Sequence, residues 1–299
     1  MKILVTGASG FIGSALVPFL TAGGHTVTRL VRREPDAGRG EIRWDPGARK
    51  LDALGLEGHD AAVHLAGEGV ATGLWTRERK ARILESRTRG TNLLAESLAG
   101  LEKKPGVLIS ASAIGYYGSR GDEVLREDSA PGNGFLAEVT RAWEAAAAPA
   151  ENAGIRVVLP RIGIVLGPGG GALAKMLPAF RMGVAGRLGD GRQYMSWIAI
   201  DDVVGAIDHA LRSEDLSGPV NVTAPEPVTN ALFTKTLARV LSRPAILSVP
   251  GLALRLIMGE MADEMLLAST RAIPVRLLER GFGFRHPDLE GALRHLLGR

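Results

Sequence analysis

Eight residues near the start, Thr6-Gly7-Ala8-Ser9-Gly10-Phe11-Ile12-Gly13, constrain this chain more than any other feature. They follow a short apolar run, Lys2-Ile3-Leu4-Val5, that reads as a buried parallel strand. They lead into Ile12, Ala15, Leu16, Phe19 and Leu20, an apolar stripe at helical spacing that ends at Gly23-Gly24. Pro18 falls inside that stripe and predicts a bend or an early end. Thr26 to Val31, β-branched and apolar, supplies a second strand, so the first thirty or so residues form a strand–helix–strand unit. Glycines at such a junction serve distinct steric purposes. Gly7 allows the tight turn, Gly10 lets the backbone approach a pyrophosphate, and Gly13 permits close contact between helix and strand. The free amides of the helix start point at the phosphates. The expectation is a dinucleotide seated on Gly7, Gly10, Phe11, Ile12 and Gly13.

The end of the second strand decides which dinucleotide. An acid there would hydrogen-bond the adenine ribose of NAD, whereas arginine would meet the 2′-phosphate of NADP. The chain reads Leu30-Val31-Arg32-Arg33, with Glu34 and Asp36 just beyond. The bidentate fit of guanidinium to phosphate points to NADP(H), held by Arg32 and Arg33.

The alternation continues. Asp60 to Leu65 reads as a strand, Arg77 to Leu98 as a long helix, Val107 to Ser110 as a strand, Glu138 to Ala150 as an alanine-rich helix and Ile155 to Leu159 as a strand. Such a series predicts an α/β fold, a Rossmann doubly wound parallel sheet covered on both faces. After Gly167-Pro168-Gly169-Gly170-Gly171 the rhythm changes, and helical patterns at Ala231 to Leu241, Leu252 to Leu267 and Leu289 to Leu297 suggest a smaller mixed lobe. The expected division is 1–170 for the NADP-binding domain and 171–299 for a substrate-binding lobe, the chain returning to the first domain around 196–215.

Composition excludes several classes. The chain has 299 residues and no cysteine, which removes disulfides, thiolate metal sites and a cysteine nucleophile, and suits a reducing, cytoplasmic setting. The formal charge of +4 arises from 36 basic and 32 acidic residues that are interleaved, and no aromatic ladder accompanies them, so no nucleic-acid partner is expected. No run is apolar for long enough to span a membrane, because Arg255, Glu260, Asp263 and Glu264 interrupt the most apolar late stretch. Met1 to Val5 enters the glycine turn directly, unlike a signal peptide. A small-molecule substrate is the expected partner, and a homodimer the expected closed assembly.

Weaker signals have plain structural readings. His64 reads as packed at a strand end, since no second ligand has an obvious spacing. Asp201-Asp202 reads as a helix N-cap rather than a metal or catalytic pair, and no metal is expected. Gly167 to Gly171 lacks the Gly-Lys-Ser/Thr ending of a triphosphate loop and reads as a flexible entry into the next helix. Met258, Met261 and Met265 stripe one helical face as core of the second lobe, with a lipid or partner groove as the alternative.

Taken together, Thr6 to Gly13, Leu65-Ala66-Gly67, Ser110 to Gly118 (Ser-Ala-Ser-Ala-Ile-Gly-Tyr-Tyr-Gly), Arg161 to Gly167 and Gly189 to Asp202 resemble the extended short-chain dehydrogenase/reductase superfamily, in particular its epimerase-like branch. The resemblance covers nearly the whole chain. It implies a Rossmann sheet with a small C-terminal lobe, an NADP-type cofactor, and substrates that in better-known relatives are nucleotide sugars. Leu65, Ala66, Gly67 and Ile164 would lie along the cofactor, and Arg87 would reach a phosphate or a substrate carboxylate.

The departure is specific. Redox members carry Tyr-x-x-x-Lys on the helix after the serine strand, and the lysine lowers the tyrosine pKa from about 10. Here that distance offers Phe135 with Val139, or Leu136 with Thr140, and neither pair transfers a proton. Arg87 stands near the place where relatives have asparagine. Ser112, Tyr116 and Tyr117 remain near the nicotinamide position, and Ser112 with Tyr117 are the catalytic candidates. The opposing reading has the tyrosines merely packed across the cleft. Two functions are thus open: an NADP(H)-dependent epimerase or oxidoreductase acting on a small carbonyl or nucleotide sugar, and a cofactor-binding sensor or partner-binding module that no longer turns over.

Overall fold

The computed structural model describes residues 1–299, the side chain at position 37 excepted. Its principal sheet is built from β1 (Lys2–Thr6), β2 (Thr26–Val31), β3 (Glu41–Asp45), β4 (Lys50–Leu51), β5 (Ala61–His64), β6 (Val107–Ser110), β7 (Arg156–Ile162) and β8 (Gly218–Val222). A further short strand, Ser112–Ala113, also pairs with β7. The order across the sheet is β8-β7-β6-β5-β1-β2-β3-β4, parallel except for the β3–β4 edge. The chain runs outward from β1 to one side, then restarts at β5 on the other. That reversal leaves a crevice beyond the carboxyl ends of β1 and β5, the place where open α/β sheets bind ligands.

The buried strands alternate strictly. Ile3 and Val5, Ala61 and Val63, and Val107 and Ile109 share one core with Leu16 and Leu20 of α1 (Phe11–Ala22). Leu4, Ala62 and Leu108 face the other way, against Leu94 and Leu98 of α2 (Arg77–Ala99). Two covered faces explain why these strands are continuously apolar in sequence. Each fully buried leucine in these layers contributes about 2 kcal/mol through area removed from water. Pro18 sits inside α1 without ending it.

The expected helix over Glu138 to Ala150 is two: α3 (Phe135–Ala145) and α4 (Ala148–Asn152). The remaining helices are α5 (Gly171–Arg181), α6 (Ile200–Arg212), α7 (Asn230–Leu241), α8 (Gly251–Met258), α9 (Glu260–Met265), α10 (Val275–Glu279) and α11 (Leu289–Leu297). Helix α6 packs on α1, while α5, α7 and α11 share a separate core with Trp197 and Phe233. The Leu252 to Leu267 pattern also divides, because Gly259 takes φ +58° between α8 and α9. Met258 therefore lies on a different helix from Met261 and Met265, and the single methionine stripe does not form; Met261 alone of the three is fully buried.

Two other readings change. The segment from Gly167 to Gly171 is a seat for an aromatic ring. Methyl groups at Gly167, Gly170 and Gly171 would lie 2.6–2.8 Å from ring carbons of Phe11, so absent side chains make room for Phe11. Asp202 is no helix cap: it is 1% exposed, and Ala199 holds the cap position of α6. The Asp202 carboxylate instead accepts the backbone N–H groups of Arg285 (2.8 Å) and His286 (3.0 Å), fastening a distant segment to α6.

Gly13 is the tightest point of the first turn, since a methyl there would fall 2.2 Å from the Gly7 carbonyl oxygen. Gly13→Ala should cost about 3 kcal/mol of stability, because backbone must move. Urea unfolding of the variant beside the parent protein measures this.

Candidate functional site

The crevice floor is made by backbone. Gly7 turns with φ +68°, and a methyl on it would lie 2.7 Å from the Leu65 carbonyl carbon and 2.8 Å from the Ala66 nitrogen, so the ends of β1 and β5 touch here. Thr6 locks the contact: its Oγ1 accepts the N–H groups of Leu65 (3.1 Å) and Ala66 (3.2 Å) and lies 2.7 Å from His64 Nδ1. Gly10 caps α1 without a side-chain hydrogen bond, which leaves the first amides of the helix, from Phe11, Ile12 and Gly13, for an anion. His64 is fully buried, and its Nε2 has no partner. Burial lowers its pKa to about 4, so it is a neutral structural imidazole at pH 7.

At the end of β2 the two arginines differ. Arg33 is engaged with Glu41 at 2.6 Å and with the Glu34 carbonyl. Arg32 is exposed and, among the described residues, makes no ion pair or side-chain hydrogen bond. Arg43 pairs with Glu34, so both nearby carboxylates, Glu34 and Glu41, are already matched.

Arg87 enters from α2 and lies along Gly67, where a methyl would meet its guanidinium carbon at 3.4 Å. It donates to the carbonyls of Glu68 (2.9 Å) and Ile83 (3.1 Å) and stacks over Trp143 at 4.9 Å. Burial lowers its pKa to about 10, against the opposing pull of Glu68. Arg79, next to it, pairs with Glu68 and donates to the Gly69 carbonyl.

Ser112 and Tyr117 converge on a buried polar network whose centre the sequence reading did not identify. Arg161 of β7 is 3% exposed and grips Glu144 of α3 with Nε and Nη2 at 2.8 and 2.9 Å. Ser112 Oγ donates to the same carboxylate at 2.6 Å. Tyr117 has no exposed surface; its hydroxyl donates to Asn221 at 2.7 Å and accepts from Arg161 at 3.0 Å. Burial raises its phenol to about 12, although Arg161 acts in the opposite direction. Burial also disfavours the charge on Arg161, but Glu144 and Tyr117 outweigh it and raise the arginine. Tyr116 lies under the guanidinium at 3.4 Å. A signal for this centre was present: Arg161 is the one charge inside Val157 to Ile162, and a charge in a buried strand requires an acid nearby.

Of the two pairs at the tyrosine–lysine spacing, Phe135 with Val139 is apolar, and in Leu136 with Thr140 the threonine hydroxyl donates to the Leu136 carbonyl at 2.8 Å. Val139 is buried, and Phe135 meets Trp75 at 4.9 Å with Lys80 over its ring at 4.8 Å. Glu264 of α9 accepts the N–H groups of Phe135 and Leu136, both at 2.7 Å, and Glu260 pairs with Lys80, so the lobe is tied to both helices beside the crevice. Ile164 opens a short strand, Ile164–Gly167, parallel to Trp197–Ala199. It runs into the glycines around Phe11.

The NAD dependent epimerase/dehydratase family model matches residues 3–223, nearly the whole sheet. The chain belongs to that family. A second match, to a domain of unknown function (DUF1731), covers residues 249–296. Epimerase family protein Mb2239 of Mycobacterium bovis is 44% identical over 297 residues, 99% of this chain and 98% of the relative. The crystal structure of human epimerase family protein SDR39U1 (isoform 2) with NADPH superposes with a TM-score of 0.91 at 34% identity, covering all of both chains. MoeE5 in complex with UDP-glucuronic acid and NAD gives 0.79 at 26% identity, over 100% of this chain and 98% of the other. The family and the Rossmann-like fold expected from sequence are thus both found. No helix among the described residues is long and apolar enough to cross a membrane.

Two measurements probe the site. Arg161→Met strands the Glu144 carboxylate and the Tyr117 hydroxyl and should cost about 3–5 kcal/mol, whereas Tyr117→Phe should cost about 1–3 kcal/mol; chemical denaturation of the pair ranks them. For His64, the unfolded imidazole titrates near 6.5 and the folded one at about 4, so the unfolded state binds more protons between these values. Stability is fully present above pH 6.5 and falls as pH drops toward 4, by about 3 kcal/mol in all. Denaturation at pH 7.5 and 4.5 should show that loss, and His64→Gln should reduce it.

Proposed function

We propose that this protein binds NADP(H) across the ends of β1, β2 and β5 and acts as an oxidoreductase or epimerase on a small carbonyl or nucleotide-sugar-like substrate held against the lobe formed by residues 171–299. The observation that carries the cofactor choice is Arg32, a guanidinium without an acid partner at the strand end where NAD would need a carboxylate. The NADPH in the human SDR39U1 structure supports the same choice, and the UDP-sugar bound by MoeE5 supports the substrate class. Gly7, Gly10 and Gly13, where methyl groups would meet the chain's own backbone at 2.2–3.2 Å, let the turn close tightly at the start of α1.

NADPH, when bound, supplies a hydride. The chain's part is to hold and orient. The amides of Phe11, Ile12 and Gly13 receive the pyrophosphate, Arg32 the 2′-phosphate, and Leu65, Ala66, Gly67 and Ile164 flank the remainder. Arg33 acts with Arg32 only by releasing Glu41. Arg87, whose buried charge lies beside Gly67, attracts an anionic substrate or phosphate. Ser112, whose own proton goes to Glu144, offers its oxygen lone pairs to the hydroxyl that carbonyl reduction forms. Tyr117 acts through Arg161 and Asn221, since its phenol stays protonated in a closed pocket. The proton that completes carbonyl reduction then comes from water. The reading carries with it a cytoplasmic setting, in keeping with the absence of cysteine, and a homodimer as the assembly.

One observation favours the second reading, a cofactor-bound sensor without turnover: neither Phe135 with Val139 nor Leu136 with Thr140 supplies a tyrosine–lysine pair, and Tyr117 is sealed. Titration with NADPH and NADH, followed by carbonyl compounds and UDP-sugars under 340 nm detection, separates the two. Loss of absorbance with substrate supports the enzyme; tight binding without loss supports the sensor. Arg32→Ala should weaken NADPH about tenfold or more and leave NADH within about twofold, as expected for one lost phosphate contact worth about 1.5–3 kcal/mol. Equal effects on both would remove the basis for NADP(H).

A further inference from the structure

Three side chains from separate parts of the chain meet between the start of α6 and the end of α11. Asp201 lies in the first turn of α6, His286 in the segment before α11, and His295 in the last turn of α11. Each presents one ligand atom, and the three atoms lie within 4.8 Å of one another. His295 Nε2 is 3.4 Å from Asp201 Oδ2. The two imidazoles stack with centroids 4.2 Å apart and planes 23° from parallel. We propose that Asp201, His286 and His295 form a site for a divalent transition-metal ion of the zinc class, which clips α11 to the start of α6.

The donor set selects the ion. Two imidazoles and one carboxylate are borderline donors that suit zinc and its neighbours, whereas magnesium and calcium prefer all-oxygen sets. Tetrahedral bonds of about 2.0–2.1 Å place neighbouring ligand atoms about 3.3 Å apart, which is the present separation of His295 Nε2 and Asp201 Oδ2. His286 has to close in by up to about 1.5 Å, and its ring has to turn out of the stack on His295 so that both in-plane lone pairs aim at one ion, a rotation open to a partly exposed side chain. A fourth position stays open to water.

The backbone already holds these ligands in place. Asp202, buried beneath Asp201, accepts the N–H of His286 itself and of Arg285, so the loop carrying one ligand is anchored to the turn carrying another. Asp288 caps α11 by accepting the N–H of Gly291 at 2.7 Å, which fixes the helix that carries the third. Asp201 falls within the 3–223 epimerase/dehydratase match and both histidines within the 249–296 match. The metal would therefore join the two matched segments. The chain has six histidines, and the other four, His25, His59, His64 and His209, lie elsewhere in the fold. Without metal the same residues make a His295–Asp201 ion pair with His286 stacked on it, and the test must tell these apart.

The test uses the full chain without an affinity tag, stripped by chelator and titrated with Zn²⁺ by calorimetry and with Co²⁺ as a visible-absorbing substitute. One ion should bind per chain, Co²⁺ should give the strong ligand-field absorption of a four-coordinate site, and Zn²⁺ should raise the thermal midpoint by several degrees. His286→Ala, His295→Ala and Asp201→Asn, all at partly or well exposed positions, should each weaken binding tenfold or more and abolish the midpoint rise. Circular dichroism of the metal-free variants checks that they fold. Absence of binding at millimolar free metal, or undiminished binding in any one of the three variants, would overturn the proposal.

Discussion

A single buried cation organises the region between sheet and lobe. Taking the Arg161 guanidinium out of water costs several kcal/mol, and the arrangement is stable only because its donors are matched: Glu144 bidentately, the Tyr117 hydroxyl, and the Glu127 carbonyl at 3.1 Å. Each partner belongs to a different element. Glu144 sets the rotation of α3, Tyr117 fixes the loop after the Ser112–Ala113 strand, and Asn221 extends the network to β8. Glu127 carries it further, its carboxylate accepting the N–H groups of Asn221 and Arg276. Burial raises the Glu127 pKa, opposed by those same hydrogen bonds. A network of this kind is costly when half satisfied, so it specifies one mutual placement of α3, β7, β8 and α10.

That placement bears on chemistry. Ser112 shares its acceptor with Arg161, so its hydroxyl direction is set from behind by Glu144. The crevice thus has two unlike walls. On one side lie glycine backbone and helix amides; on the other, an apolar pair, Phe135 and Trp75, beneath which charged groups are already matched with one another. Under the function proposed above, a substrate would lie between these walls and water would supply the proton.

Much of this was readable in the residues. The first turn, the doubly covered sheet and the helices at Arg77, Ala231 and Leu289 followed from period and glycine placement, because those signals are local. Strand β3 was missed, since Glu41-Ile42-Arg43-Trp44-Asp45 at the sheet margin has charges at every second position and only Trp44 deeply buried. Strand β8 was missed because Gly218-Pro219-Val220-Asn221-Val222 contains glycine, proline and a buried asparagine whose partners are over fifty residues away. The glycines of the first turn were legible as backbone requirements. The Arg161–Glu144 centre and the tie of Asp202 to His286 were not, because they are long-range pairings, and composition and spacing carry no distance.

The glycines around Phe11 have a further meaning for inheritance. Gly167, Gly170 and Gly171 exist in the shape they do because one ring from the first helix fills the space their side chains would take. Neither half of that fit is useful without the other, so the glycine turn that starts α1 and the entrance to α5 cannot drift independently. A natural recombinant that exchanged everything beyond residue 165 with a distant cousin would inherit a lock cut for a different key, unless position 11 travelled with it.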